Sequence, residues 1–169
     1  MSTDIEPVKD SIATEDFQAL CTAIGFVEVN WALFEQSLDH MVITIHRDLG
    51  GATFVNELPR SYSNKVKFLR KAFSRIPSLQ SLKDNAKQVL EKSKELSKHR
   101  HDLTHGVVTH TELKDGRYNF SKIDYSGTEH QYRDFVFDPN TFPRLAQELL
   151  DLGTLTASLG LKVEQITQC

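Results

Sequence analysis

Cysteine, glycine and proline are all scarce in this chain, and long apolar runs are missing. Its 169 residues include 2 cysteines, 8 glycines and 5 prolines. Cys21 and Cys169 are too few for a disulfide framework or a thiolate metal site, and a reducing compartment is the default. No uninterrupted apolar run approaches the roughly 20 residues that cross a bilayer, and the polar, acidic start is unlike a secretory signal. We therefore expect a cytoplasmic globular protein with no membrane segment.

The net charge of −3 conceals a strong segregation of charge along the chain. Residues 1–59 carry a balance of −8, residues 60–105 carry +8, and residues 106–169 carry −3. The basic middle can meet a polyanion such as RNA. It can equally pair with the acidic first helix of its own chain or of a partner chain. Charge alone leaves both interpretations open.

Hydrophobic periodicity predicts a mainly α-helical protein. Apolar residues three and four apart predict a long helix over residues 14–48, a second from Ser61 or Ser63 to Ser74, and a third after Pro77. Residues 1–13 are predicted to be a disordered acidic lead-in. The chain thus begins with three helices.

After Gly106 the apolar period changes to two. Residues 107–113 and 118–123 predict a hairpin that turns at Asp115-Gly116, and residues 132–137 are a candidate third strand. Asp138-Pro139 has the N-cap and first residue of a helix start. The predicted fold is a four-helix bundle with a small antiparallel sheet, at about 107–137, inserted before the last helix. The helical domain is expected over 14–162, with a tail at 163–169.

The end of the third helix is the segment in which function is expected. Spacings of three and four residues place Arg100 on the same face of the third helix as its leucines. Because that face is expected to be buried, the arginine there needs an anionic partner. His101 and His105 share another face, with Asp102 three residues before His105. Arg100 and His105 are about 140° apart round an ideal helix. They would therefore meet on one substrate only if the last turn unwinds or if two chains contribute.

Arg100-x-x-x-x-His105 at the end of a helix resembles the signature of the HEPN superfamily (higher eukaryotes and prokaryotes nucleotide-binding). Three further features are similar to bacterial HEPN-like proteins. They are the polar His101 after the arginine, the stretch from Trp31 to Asp39, and Leu58-Pro59-Arg60-Ser61. The resemblance covers roughly residues 15–160. It implies a homodimer and, in many members, a metal-independent endoribonuclease, some of them toxins or defence proteins. Other members are inactive modules that bind a partner protein or RNA.

Transferred by position, the resemblance makes Arg100 and His105 the catalytic candidates, with His101 as an auxiliary. Histidine supplies a base of near-neutral pKa for the 2′-hydroxyl of RNA, and a guanidinium supplies donors for the charged phosphorane. The expected product is a cyclic phosphate. No cofactor is expected, and an antitoxin or another partner protein is an open expectation.

Supporting residues are predicted on the first two helices as well. Glu35, rather than Asp39, is expected to pair with Arg100, and Asp102 is a supporting acid. With an RNA substrate, basic side chains would form a track for the phosphates. The predicted track comprises Lys65, Lys67, Arg70, Lys71 and Lys98.

Two alternatives to this site stay open. Histidine and arginine also favour helix carboxyl ends because they compensate the helix dipole, with no function implied. His101 and His105 have ligand spacing, but the glutamate of an HExxH helix is absent. We therefore expect no metal at this position.

Overall fold

The structure is a computed structural model, and it describes residues 14–110 and 117–168. Within them the chain is mainly helical, with a small three-stranded antiparallel sheet before the last helix. The predicted fold class is therefore confirmed. The α-helices are α1 (Thr14–Asp48), α2 (Tyr62–Arg75), α3 (Lys83–His105) and α4 (Phe142–Thr167). The strands are β1 (Val107–His110), β2 (Tyr118–Ser126) and β3 (Glu129–Phe137).

The helix boundaries follow from local signals in the sequence. α2 starts after Ser61, whose hydroxyl accepts a hydrogen bond from the backbone N–H of Asn64, the N-cap arrangement expected of serine. Pro77 opens a 3₁₀ segment, Pro77–Leu82, because it cannot continue the preceding helix. The predicted boundaries of the first three helices agree with the structure to within a few residues.

The start of α4 differs from the prediction. Asp138 does act as a cap, since its carboxylate accepts from the backbone N–H of Asn140, but it caps a 3₁₀ turn, Pro139–Thr141. α4 itself begins at Phe142 and continues to Thr167. The predicted tail at 163–169 is therefore wrong over 163–167, because buried Val163 holds the last turns of α4 against the core.

α1 is the central element of the core and also its most apolar helix. It packs chiefly against α4 and also contacts α2 and α3. Its segment Phe17–Asp48 is long and apolar enough to cross a membrane by length and composition, since it contains an 18-residue window with a mean hydropathy of 1.4. The residues of α1 that are buried against the other helices account for part of this apolar character. They are Leu20, Ala23, Val27, Trp31, Phe34, Leu38, Met41, Val42 and Ile45.

The sheet has the order β1-β2-β3, with both pairs antiparallel. Val108 lies opposite Phe120 on β2, and Phe120 lies opposite Phe135 on β3. Tyr118, Phe120 and Phe137 are buried, whereas the other side of the sheet is exposed. The predicted pairing of the first two strands is confirmed, and the third predicted strand, β3, pairs with β2. The predicted turn at Asp115-Gly116 and the acidic lead-in at 1–13 lie outside the described residues.

Candidate functional site

α3 ends abruptly against the sheet because its last residue is followed by glycine. A Cβ atom at Gly106 would lie 2.8 Å from the ring of Phe135 and 2.9 Å from the ring of Phe120. The backbone carbonyl oxygen of Asp102 is closer still, at 2.7 Å, so any side chain at this position would force the backbone as well as the two rings to move. The glycine lets β1 begin one residue after the helix, so the end of α3 is held directly beside the sheet.

Arg100 lies at the edge of the core and is paired with Glu28 of α1. Its Nε lies 2.9 Å from Glu28 Oε1, and its Nη2 lies 2.8 Å from Glu28 Oε2, a fork-to-fork geometry. The hydroxyl of Thr104 donates to the same carboxylate. Burial raises the pKa of Glu28, but the hydrogen bonds from Arg100 and Thr104 outweigh it and hold the pKa below its usual value. Glu28 therefore stays ionised at neutral pH.

The prediction that Glu35 pairs with Arg100 is wrong. Glu35 instead accepts a hydrogen bond from the indole N–H of Trp31 at 3.1 Å and lies 3.8 Å from the ammonium of Lys65. Glu28 stands seven residues earlier on the same face of α1, and α3 crosses α1 at that level. The prediction that α1 supplies the carboxylate for Arg100 is correct, but the residue is Glu28.

His101 and His105 form a pair of imidazoles on the exposed side of α3. Their ring centroids are 4.5 Å apart with an edge-to-face arrangement. Both line an open groove of about 540 Å³, together with Tyr125 and Tyr132 from the sheet. Burial and the positive charge of Lys122 lower the pKa of His101. His101 is therefore the neutral imidazole in this groove at neutral pH, as a general base must be.

Arg100 and His105 do not converge on one point within the chain. α3 is regular through His105, so the unwinding that would bring them together does not occur. Thr104 lies between them round the helix, and its hydroxyl donates to the Glu28 carboxylate. The four side chains Arg100, Thr104, His101 and His105 thus occupy one arc of about 140° at the end of α3.

Asp102 points away from the imidazoles and towards the sheet. Its carboxylate accepts from Lys122 Nζ at 3.0 Å and from Arg133 Nη2 at 2.5 Å. Lys122 also lies 3.1 Å from Asp124, and only 6% of its side chain is exposed. Burial raises the pKa of Asp102, but hydrogen bonds from Arg133 and Lys122 more than offset it, and the pKa is lowered. Asp102 is thus a structural link between α3 and the sheet.

Some predicted RNA-binding cations are exposed and one is not. Lys67, Arg70 and Lys98 are exposed, and the ammonium of Lys71 lies 5.2 Å from the centre of the Phe54 ring. Lys65 is buried, and its ammonium pairs with Asp39 at 2.7 Å. Its proposed contact with RNA is therefore wrong, because the side chain lies under α1 and its charge is already balanced.

The prediction missed Glu28, Thr104 and Lys122. Lys122 carried a signal in the sequence, since strand alternation places it on the same side as Tyr118 and Phe120. The sequence signal for Glu28 was weaker, because several acidic residues lie on α1 and any of them could face α3.

Among residues 14–110 and 117–168, no group of three or more His, Cys, Asp or Glu side chains is placed to hold a metal ion. Comparison of the chain with protein-family models, curated proteins and solved structures gives no match.

Proposed function

We propose that this protein is a metal-independent endoribonuclease of the HEPN type that acts as a homodimer. The observation that carries the proposal is the arc at the end of α3, in which two imidazoles in contact, one of them neutral, and a guanidinium are spread over about 140° of the helix. A neutral imidazole can take the proton of a ribose 2′-hydroxyl, and a second can protonate the leaving oxygen. The guanidinium can stabilise the charge that develops on the phosphate.

The same arc explains why two chains are part of the proposal. Arg100 and His105 point about 140° apart on one regular helix, so a single chain offers each phosphate either the guanidinium or the imidazole. A two-fold axis beside α3 would bring Arg100 of one copy towards His105 of the other. Sedimentation should then give a species of twice 19.2 kDa, and a monomer at micromolar concentration would contradict the composite site.

A second candidate function is a catalytically silent module that binds RNA or a partner protein. It is favoured by the Arg100–Glu28 pair, because the guanidinium charge is already balanced by a carboxylate of the same chain. A phosphate would have to share or displace Glu28. Glu28 accepts from Arg100 Nε and Nη2, so both N–H groups of Nη1 and the second N–H of Nη2 remain as donors for a ligand.

Incubation of the purified protein with mixed RNA in excess chelator separates the two candidates. The nuclease predicts products that end in a cyclic phosphate, and loss of cleavage in Arg100→Lys and His105→Ala. His40→Ala, an exposed histidine on α1, is the matched control and should cleave as the wild type does. Circular dichroism of each variant establishes that the fold is kept. Absence of cleavage across varied RNAs, with RNA binding retained, favours the silent module.

The cellular part of the proposal is a cytoplasmic toxin or defence protein. Its motivation is the resemblance of the Arg100-x-x-x-x-His105 helix to that class. Induced expression in a bacterial host should arrest growth and degrade RNA, and His105→Ala should relieve both effects. Normal growth at high expression of the wild type would count against a role as a toxin. It would not count against a nuclease whose activity is inhibited in the cell. Co-expression with a neutralising partner protein would be the next test.

A further inference from the structure

A stripe of lysines runs along the exposed face of α3 and ends at the imidazole pair. At 100° per residue, four lysines and both imidazoles fall within about 60° round the helix. The four are Lys83, Lys87, Lys94 and Lys98, and all are exposed. None of them has an ion-pair partner within 4.0 Å among the described residues. From Lys83 to His105 the stripe is about 33 Å long, and the acid Glu91 lies beside its edge, about 20° outside it.

The outer face of the sheet continues from the other side of the same imidazole pair. Tyr125 and Tyr132 stand on neighbouring strands and are 77% and 71% exposed. Ile123 lies opposite Tyr132, and His130 lies opposite Tyr125, so all four share the outward side. The outward set also includes one acid, Asp134, on β3. Tyr125 and Tyr132 stand at diagonal positions on the two strands, and their exposed rings offer faces on which bases can stack.

The imidazole pair joins these two surfaces. His101 and His105 are the last members of the lysine stripe, and they line one groove with Tyr125 and Tyr132. A ligand that extends from the stripe to the sheet would therefore pass over both imidazoles. Positive charge on one side and exposed rings on the other match the two parts of a nucleotide chain, its phosphates and its bases.

We infer that the α3 stripe and the outer face of the sheet form one binding surface for single-stranded RNA. The phosphates lie along Lys83, Lys87, Lys94 and Lys98, and unpaired bases stack on Tyr125 and Tyr132. Duplex RNA does not fit, because its bases are stacked on each other and cannot cover the tyrosine rings. This inference rests on the proposed function, because it names single-stranded RNA as the substrate class of the proposed nuclease site.

Binding is measured by fluorescence anisotropy with a labelled, unstructured 2′-O-methyl oligonucleotide, which lacks the nucleophile and cannot be cleaved. Tyr125→Ala and Tyr132→Ala should each weaken binding about tenfold, the cost of one lost stacked base. Tyr125→Phe and Tyr132→Phe keep the ring and should bind as the wild type does. Because the tyrosine side chains are exposed, the fold should survive all four substitutions.

The lysine stripe is tested by the salt dependence of the same binding. Replacing both Lys94 and Lys98 by glutamine should reduce the slope of log Kd against log salt by about 1.4, since each phosphate contact contributes about 0.7. The alanine variants at Tyr125 and Tyr132 should leave the slope unchanged, because stacking releases no counterions. Lys162→Gln, an exposed lysine on α4, is the matched control and should alter neither affinity nor slope.

The outcomes separate this inference from the nuclease itself. Unchanged affinity in the tyrosine-to-alanine variants, an unchanged slope in the lysine variant, or equal binding of a duplex would each overturn the surface. If all of these variants cleave unmodified RNA of the same sequence as fast as the wild type does, the result would support a nuclease and reject the proposed binding surface. Binding that depends on both tyrosines and lysines, without cleavage, would support the surface and reject the nuclease.

Discussion

The substitution Asp102→Asn tests how the sheet is held to α3. Asp102 accepts hydrogen bonds from a buried ammonium, Lys122, and from the guanidinium of Arg133. The substitution keeps the shape of the side chain but removes its charge. Two cations would then share one carboxylate, that of Asp124. We expect a loss of stability, because Lys122 would stay buried with its charge only partly balanced.

The size of the loss follows from the burial of each group. Breaking a fully buried ion pair costs about 3–5 kcal/mol. Here only Lys122 is fully buried, since 24% of the Asp102 side chain is exposed. Water and the remaining carboxylate both reduce the penalty, so we expect the free energy of unfolding to fall by about 2–3 kcal/mol. For a chain of this length, that corresponds to a decrease in Tm of roughly 4–12 °C.

Urea unfolding followed by tryptophan fluorescence measures this loss. Trp31 is the single tryptophan and is 3% exposed, so its emission reports the folded core. Asp134→Asn is the matched control on the outer face of β3, and we expect a change within about 0.5 kcal/mol. Equal stability of the two variants would falsify the reasoning. Lys122→Met in the Asp102→Asn background should restore part of the stability, because it removes the unbalanced buried charge.

Three further predictions concern positions elsewhere in the fold. Asp39→Asn should cost about 1–2 kcal/mol and more than Glu35→Gln, because Asp39 is the nearer partner of buried Lys65; equal losses in urea unfolding would contradict this. Gly106→Ala should destabilise the protein by about 1–3 kcal/mol, since its Cβ would lie 2.8 Å from a ring carbon; a Tm at or above the wild-type value would refute the close approach. The pKa of His101 is lowered in the folded state, so the unfolded state takes up the proton first as pH falls below about 6.5. Stability should therefore decrease between neutral pH and the lowered pKa, and His101→Gln should make that decrease smaller; an equal decrease in both proteins would argue against it.

The sequence predicted the elements of the fold well because their signals are local. Spacings of three and four located the helices, and alternation located the strands. Lys65 carries two local signals that disagree. It precedes Phe68, Leu69 and Ala72 by three, four and seven residues, which places it on the buried stripe of α2. Its charge suggested the surface, but periodicity indicated the core.

The partner of Arg100 could not be predicted in the same way. Glu28 and Glu35 are seven residues apart and occupy the same face of α1, so periodicity cannot choose between them. The choice depends on how far α3 is shifted along the axis of α1, and that shift is fixed by packing between distant parts of the chain. The sequence therefore predicted the helix that supplies the counter-ion of Arg100, α1, but not the residue.

The position of β3 at the edge of the sheet bears on how the protein behaves at high concentration. Among the described residues no further strand pairs with β3, so a nine-residue edge is open to another chain. Such edges promote aggregation unless charged side chains make strand addition unfavourable. Arg133 sits in the middle of β3 and is fixed by Asp102 and Asp124. The network that fastens the sheet to α3 therefore also keeps a charge in the strand most exposed to self-association.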